Sequence, residues 1–159
     1  IEEGLIKVNK EKTALFPLLE KITEGIENQA SQKGIKVHLE TTEKNMEVIT
    51  DALLLRQIIE NLLSNGIKYS PESSEVVLRC AKTNGTIEIA IIDSGPGIPV
   101  DEQELLFKKF SRLSTRPTAG ESSHGLGLSI VKKLSDLLSI EVSFESEQGK
   151  GSTFKLLLS

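Results

Sequence analysis

The stretch Ile35-Lys36-Val37-His38-Leu39-Glu40-Thr41 decides how this chain folds, because apolar and polar residues alternate along it. Successive side chains of a strand point to opposite faces. Ile35, Val37 and Leu39 therefore share one side, and Lys36, His38 and Glu40 the other. Later apolar runs repeat the pattern and leave Glu88, Glu141 and Lys155 on the polar side. Strands buried on both faces would be nearly continuous in apolar residues. This sheet is expected to keep one face in water and to cover the other with helices.

Helical spacing supplies the cover. Leu15, Leu18, Leu19, Ile22, Ile26 and Ala30 predict a helix over about residues 15–32, with Pro17 in its first turn and Gly34 at its C-terminal cap. A second helix is predicted over about residues 51–68, with Asp51 as N-cap, and a third over about 125–138. Strands are predicted near 75–82 and 86–93, joined at Thr83-Asn84-Gly85, and near 140–145 and 152–158, turning at Gln148-Gly149-Lys150-Gly151. The expected fold is a two-layer α/β sandwich. Its sheet is mixed and largely antiparallel, with about three helices on one face. A Rossmann-type crevice is not expected.

The whole chain, residues 1–159, suits one domain with a single core. Hydrophobic residues make up 38% and charged residues 26%, as in an ordinary globular protein. Nineteen basic against twenty-three acidic residues give a net charge of -4, which argues against nucleic acid as a partner. No apolar run approaches the roughly 20 residues that cross a bilayer, so direct membrane insertion of this piece is not expected. The lone Cys80 excludes an intramolecular disulfide and a multi-cysteine metal site, and is expected to be a buried, inert thiol. A cytosolic address is expected for this piece, and because it opens on Ile1 it is expected to be excised from a longer chain.

Three stretches could carry chemistry. Asn61, Asn65 and Lys68 fall at i, i+4 and i+7 on an otherwise apolar helix. An amide oxygen suits Mg²⁺ and a lysine suits a phosphate; the alternative is a solvated helix face. Asp93-Ser94-Gly95-Pro96-Gly97-Ile98 follows an apolar strand. Its glycines admit a ligand close to the backbone and Asp93 can accept from an exocyclic amine, or it is a turn with a capping aspartate. His124-Gly125-Leu126-Gly127-Leu128-Ser129 opens a helix whose free amides can hold an anion. Its spacing fits neither the Walker loop nor the dinucleotide fingerprint. The aperiodic, Ser/Thr/Pro/Gly-rich residues before it, 113–123, read as a lid or as a plain connector.

Taken in order, these segments resemble the catalytic domain of sensor histidine kinases, within the ATPase superfamily that includes type II topoisomerases, mismatch-repair proteins and heat-shock chaperones. Asn61-Leu-Leu-Ser-Asn65-Gly-Ile-Lys68-Tyr69 resembles the N box and Asp93 to Ile98 the first glycine box. Leu106-Phe107-Lys-Lys-Phe110-Ser-Arg112 resembles the F box, Gly125-Leu126-Gly127-Leu128 the second glycine box, and Gly149-Lys-Gly151-Ser-Thr153-Phe154 the closing turn. The resemblance implies that ATP and Mg²⁺ are the cofactors. Asn65 would bind the metal, Asn61 would lie beside the triphosphate, and Lys68 and Tyr69 would contact phosphates and the nucleotide edge. Asp93 would read the adenine amine, directly and through a water shared with Thr153. Gly95 and Gly97 would admit the nucleotide, with Ile98 and Phe110 also in the pocket. The amides from Gly125 through Leu126 and Gly127 to Leu128 would hold phosphate under a lid at 113–124. Arg112 would be the cation near the transferring phosphoryl group, and with Asn61 and Lys68 completes the implied catalytic set.

Three departures stand out. Gly66 replaces the usual alanine, at a helix cost of about 1 kcal/mol. His124 replaces threonine or glycine, and residues 120–123 are poorer in glycine than in many relatives. The superfamily's hydrolases carry a water-activating glutamate four residues before the metal-binding asparagine, where Asn61 stands here. Glu60 lies about 100° further round the helix. An amide is no general base, so transfer to a histidine is favoured over hydrolysis. Neither His38 nor His124 suits the phosphoacceptor. The implied partners are the protein's own dimerisation and histidine-phosphotransfer helices, outside this chain, and the receiver domain of a response regulator. The isolated domain is expected to bind ATP–Mg²⁺ and phosphorylate little alone. An anti-sigma-type serine kinase and a non-catalytic nucleotide or second-messenger module remain as alternatives.

Overall fold

The computed structural model describes residues 6–96, 126–147 and 149–158. Its elements run β1 (Glu11–Ala14), α1 (Leu15–Ser31), β2 (Lys36–Thr41), β3 (Glu47–Thr50), α2 (Ala52–Tyr69), β4 (Glu75–Thr83), β5 (Thr86–Ile92), α3 (Leu126–Leu138), β6 (Glu141–Glu147) and β7 (Gly151–Leu158). Five strands form one sheet in the order β2-β4-β5-β7-β6. β2 and β4 are parallel, and the other three pairs are antiparallel. A parallel pair needs a long crossover, which β3 and α2 provide.

Alternation positions the layers as the sequence predicts. Val76, Leu78 and Cys80 of β4, Ile87, Ile89 and Ile91 of β5, and Phe154, Leu156 and Leu158 of β7 are buried against the helices. Lys36, His38, Glu40, Arg79, Glu141 and Glu145 are exposed on the opposite face. There Lys155 pairs with Glu88 at 3.7 Å and Glu145 at 3.4 Å, and Arg79 with Glu40 at 2.9 Å. α2 sends Leu55, Ile58, Ile59, Leu62, Leu63 and Ile67 fully into the core. Each such side chain contributes about 1.5–3 kcal/mol of apolar burial, which fixes this helix against the sheet. The Asn84-Gly85 turn has positive φ at both residues (51° and 81°), as a two-residue hairpin requires. Cys80 is buried in β4, and burial pushes its thiol up to about 11.

The two elements the sequence did not announce are β1 and β3. They form a separate two-stranded antiparallel sheet, with Glu11 opposite Thr50 and Ala14 opposite Glu47. Each has only four residues, too few to establish a period.

Candidate functional site

Helix α2 is tied down at both ends. Asp51 caps its start, its Oδ1 accepting from Leu54 N at 3.1 Å and its Oδ2 from Asn9 N at 2.8 Å. At the other end Lys33, buried just after α1, donates from Nζ to the carbonyls of Ile67 (2.8 Å) and Lys68 (3.1 Å). A cation here meets the last helical carbonyls and the negative end of the helix dipole. Lys33 is held in turn by Ser73 N, which donates to its carbonyl at 2.9 Å. Gly34, at φ +68°, makes the turn possible. The carbonyl ends of Ile67 and Lys68 are thereby fixed, and with them the Lys68–Tyr69 end of the helix.

Along this anchored helix Asn61, Asn65, Lys68 and Tyr69 are half-buried, on the side not committed to the core. The Asn61 amide donates to the Gln57 carbonyl at 2.8 Å, which leaves its oxygen as an acceptor. The Asn65 side chain makes no hydrogen bond to any described residue. Its amide oxygen suits a hard cation that takes its other ligands from phosphate and water. Among the described residues no group of three or more His, Cys, Asp and Glu could cage a metal, so a cation here would depend on such a shared shell. Glu60 turns away from the stripe and pairs with Arg56 at 3.5 Å. It offers no base to a ligand beside Asn61.

Asp93 sits where β5 ends, on the helix side of the sheet. A Cβ added to Gly66 of α2 would lie 3.5 Å from the Asp93 Cβ, so helix and carboxylate meet closely. Asp93 Oδ1 accepts from Gly95 N at 2.9 Å and Ser152 N at 3.2 Å; both bonds fall on this oxygen and leave Oδ2 to an incoming donor. Burial pushes the carboxyl up to about 6, opposed by these two backbone bonds. Two glycines shape the surroundings. A Cβ on Gly95 would fall 2.7 Å from the Tyr69 carbonyl oxygen, and one on Gly151 (φ +115°) would fall 2.2 Å from that of Asp93. Ser94 N donates to Ser70 Oγ at 3.3 Å, and Gly149 N to the Pro96 carbonyl. The glycine turn, the end of α2 and the β6–β7 turn thus form one backbone-lined cradle around Asp93.

Thr153 does not join this group. It faces the open side of the sheet, in a shallow depression it shares with Arg79, Glu88, Glu145 and Lys155. Its neighbour Ser152 is the residue on the Asp93 side, buried and bonded to the carboxylate through its N–H. Successive strand residues point oppositely, so a one-residue difference within Gly151-Ser152-Thr153-Phe154 reverses the face. Lys33 and Ser152 are the residues that sequence reasoning missed. The pattern around Phe154, which is buried, could have found Ser152 by parity; nothing local could have found Lys33. Gly97, Ile98, Phe110, Arg112, Gly125 and the stretch 113–124 lie outside the described residues. Leu126, Gly127 and Leu128 form the opening turn of α3, which packs against α2.

A family model described as "Histidine kinase-, DNA gyrase B-, and HSP90-like ATPase" matches residues 50–159. The adaptive-response sensory kinase SasA of Crocosphaera subtropica is 30% identical over 154 residues, covering 96% of this chain and 40% of its own length. The aerobic respiration control sensor protein ArcB of Escherichia coli is 36% identical over 136 residues, covering 82% of this chain and 17% of its own. The chain thus spans well under half the length of these curated relatives. Among solved structures, full-length ShkA in complex with AMPPNP superposes with a TM-score of 0.83 at 27% identity, covering 98% of this chain and 32% of that one.

Proposed function

Because the chain belongs to the histidine kinase-, DNA gyrase B- and HSP90-like ATPase family, we propose that it is the ATP-binding catalytic domain of a sensor histidine kinase. It transfers the γ-phosphoryl group to a histidine on dimerisation helices outside this chain, for relay to a response regulator. The observation that carries the reading is the Asp93 cradle. One carboxylate oxygen is saturated by backbone donors and the other is left over, beside two glycines that let the Tyr69 and Asp93 backbones pack closely around the carboxylate. Such an oxygen recognises an exocyclic amine.

Phosphoryl transfer asks a protein chiefly to position its substrates and to stabilise charge. Bound Mg²⁺ would neutralise charge on the phosphate oxygens, and Asn65 is the residue that would hold it. Asn61 and Lys68, about one turn to either side of Asn65 on the same side of α2, would lie beside the triphosphate. Tyr69 and Asp93 hold the nucleotide edge and Ser152 the base, in place of Thr153. Arg112 is proposed as the cation beside the transferring group, and the amides of the Gly125–Leu128 stretch as phosphate donors. With Glu60 engaged by Arg56 and an amide at position 61, no carboxylate of α2 stands ready to activate water. That favours transfer over hydrolysis.

Calorimetric titration with a non-hydrolysable ATP analogue, with and without Mg²⁺, tests the binding half. Wild type binds and Asp93→Asn loses at least tenfold; unchanged binding in that variant removes the base assignment. Adding the dimerisation helices in trans tests the transfer half. An acid-labile phosphoryl group on histidine is expected, and acid-stable phosphoserine would overturn the kinase class.

A further inference from the structure

A helix N-cap needs one side-chain oxygen, and serine, threonine or asparagine supplies it about as well as aspartate. Asp51 has two. Its Oδ1 serves α2, accepting from Leu54 N at 3.1 Å. Its Oδ2 accepts from Asn9 N at 2.8 Å, 42 residues earlier in the chain. Both donors are backbone N–H groups and Asp51 is buried, so water competes little for either bond.

The surroundings make the second bond a strap on the segment that leads into the domain. β1 and β3 pair from Ala14 opposite Glu47 to Glu11 opposite Thr50. The Asn9–Asp51 bond lies just past the last of these pairs, where β3 gives way to α2. Ile6 and Val8 pack against the core in the same stretch. Residues 6–10 are thereby held to the start of the helix that carries Asn61, Asn65 and Lys68. At 1.5 Å per residue the strap lies about 15 Å from Asn61 and about 21 Å from Asn65 along the helix. Six core side chains hold α2 itself, so what the bond fixes is the direction in which the preceding chain leaves α2.

We propose that Asp51 is a positioning residue for phosphoryl transfer: through Asn9 it fixes the incoming segment on α2 and so keeps the attached phosphoacceptor helices within reach of the nucleotide. This rests on the histidine kinase reading and adds to it how the two parts are oriented. Attachment turns an encounter of two bodies into one within a single molecule, and the gain depends on how closely the link constrains their geometry. Release of Asn9 frees up to five residues, as far as Glu11 at the first pair of β1. That is roughly 17 Å of slack, as much as the whole distance from the strap to Asn61.

The test uses the protein with its dimerisation helices attached and, in parallel, this chain with the helices supplied separately. Asp51→Ser keeps a cap oxygen for Leu54 and has none for Asn9; Asn9→Pro removes the donor and leaves Asp51 intact; Asn9→Ala keeps the backbone donor. Asp51→Ser and Asn9→Pro are each expected to slow transfer to the attached histidine by about tenfold, and the double variant no further. Asn9→Ala transfers like wild type. Transfer to separate helices and calorimetric affinity for the ATP analogue stay at wild-type values throughout. Loss of attached and separate transfer together, or of nucleotide binding, would mean that the two residues only hold the fold and overturn the proposal. Attached transfer that is unchanged or faster in Asn9→Pro overturns it as well. If wild type binds no ATP analogue, or phosphorylates no histidine in either format, the kinase reading falls and this proposal with it. A wild type that transfers normally, matched by both strap variants, refutes the Asp51 role alone.

Discussion

Consider Asp93→Asn, a substitution that sets the needs of the fold against those of the ligand. Burial raises the Asp93 carboxyl from its ordinary 3.8 to about 6, which corresponds to about 3 kcal/mol of folding free energy between low and high pH. The folded value lies above the unfolded one. The contribution is therefore full below about pH 4 and is lost as pH rises through about 6. Asparagine keeps an oxygen for the Gly95 and Ser152 amides and carries no charge to desolvate. The bonds to the two amides are already counted in that value, but the NH2 group that replaces the buried Oδ2 costs about 1–2 kcal/mol of desolvation, which offsets part of the gain. At pH 8 the variant is expected to be more stable by about 1–2 kcal/mol, or roughly 2–8 °C in Tm. At pH 4 it is no more stable than wild type. Thermal and urea unfolding from pH 4 to 8 measure the difference, and calorimetry at pH 7.5 follows the parallel loss of nucleotide binding. A stability difference that does not change with pH, or a wild type that is the more stable at pH 8, would refute the reasoning.

Three other outcomes follow from the same geometry. Gly66→Ala should stabilise the domain by about 1 kcal/mol, because the added Cβ meets Asp93 and Val76 at ordinary contact distances of 3.5 and 3.6 Å; a lower urea midpoint would mean that the helix needs a bare backbone there. Lys33→Met should cost about 1–3 kcal/mol in urea unfolding, since the Ile67 and Lys68 carbonyls lose a charged donor; an unchanged midpoint would show that the cap contributes nothing. Affinity for the ATP analogue should fall as pH drops below about 6, by up to about tenfold per unit, as Asp93 takes up a proton. The Asp93→Asn variant measured alongside removes the titration of the phosphates from the comparison.

The large features were legible because they depend on repeats along the chain. Alternation in Lys36–Thr41 announced a sheet with one wet face, and the helical spacing of α1 and α2 announced its cover. Element ends fell within two residues of expectation, and Asp51 caps α2 as its position before the apolar run suggested. What escaped depends on distance or on parity. Lys33 meets the Ile67 carbonyl 34 residues away, through a turn whose local reading was only a helix cap. Ser152 and Thr153 are both small hydroxyl residues in one motif; only parity with Phe154 separates them, and the pairing of Thr153 with Ile92 and Glu145 bears that parity out. The strands β1 and β3 escaped because four residues cannot display a period.

Gly95 and Gly151 carry a consequence for inhibitor design. A methyl group on the first would press within 2.7 Å of the Tyr69 carbonyl oxygen, and on the second within 2.2 Å of the Asp93 carbonyl oxygen. Both neighbours are backbone and have no rotamer with which to step aside. A compound that draws its affinity from the main chain at these two positions leaves the protein few ways to escape it by point mutation. Any larger residue there would disturb the seat of Asp93, the same carboxylate proposed to hold the ligand.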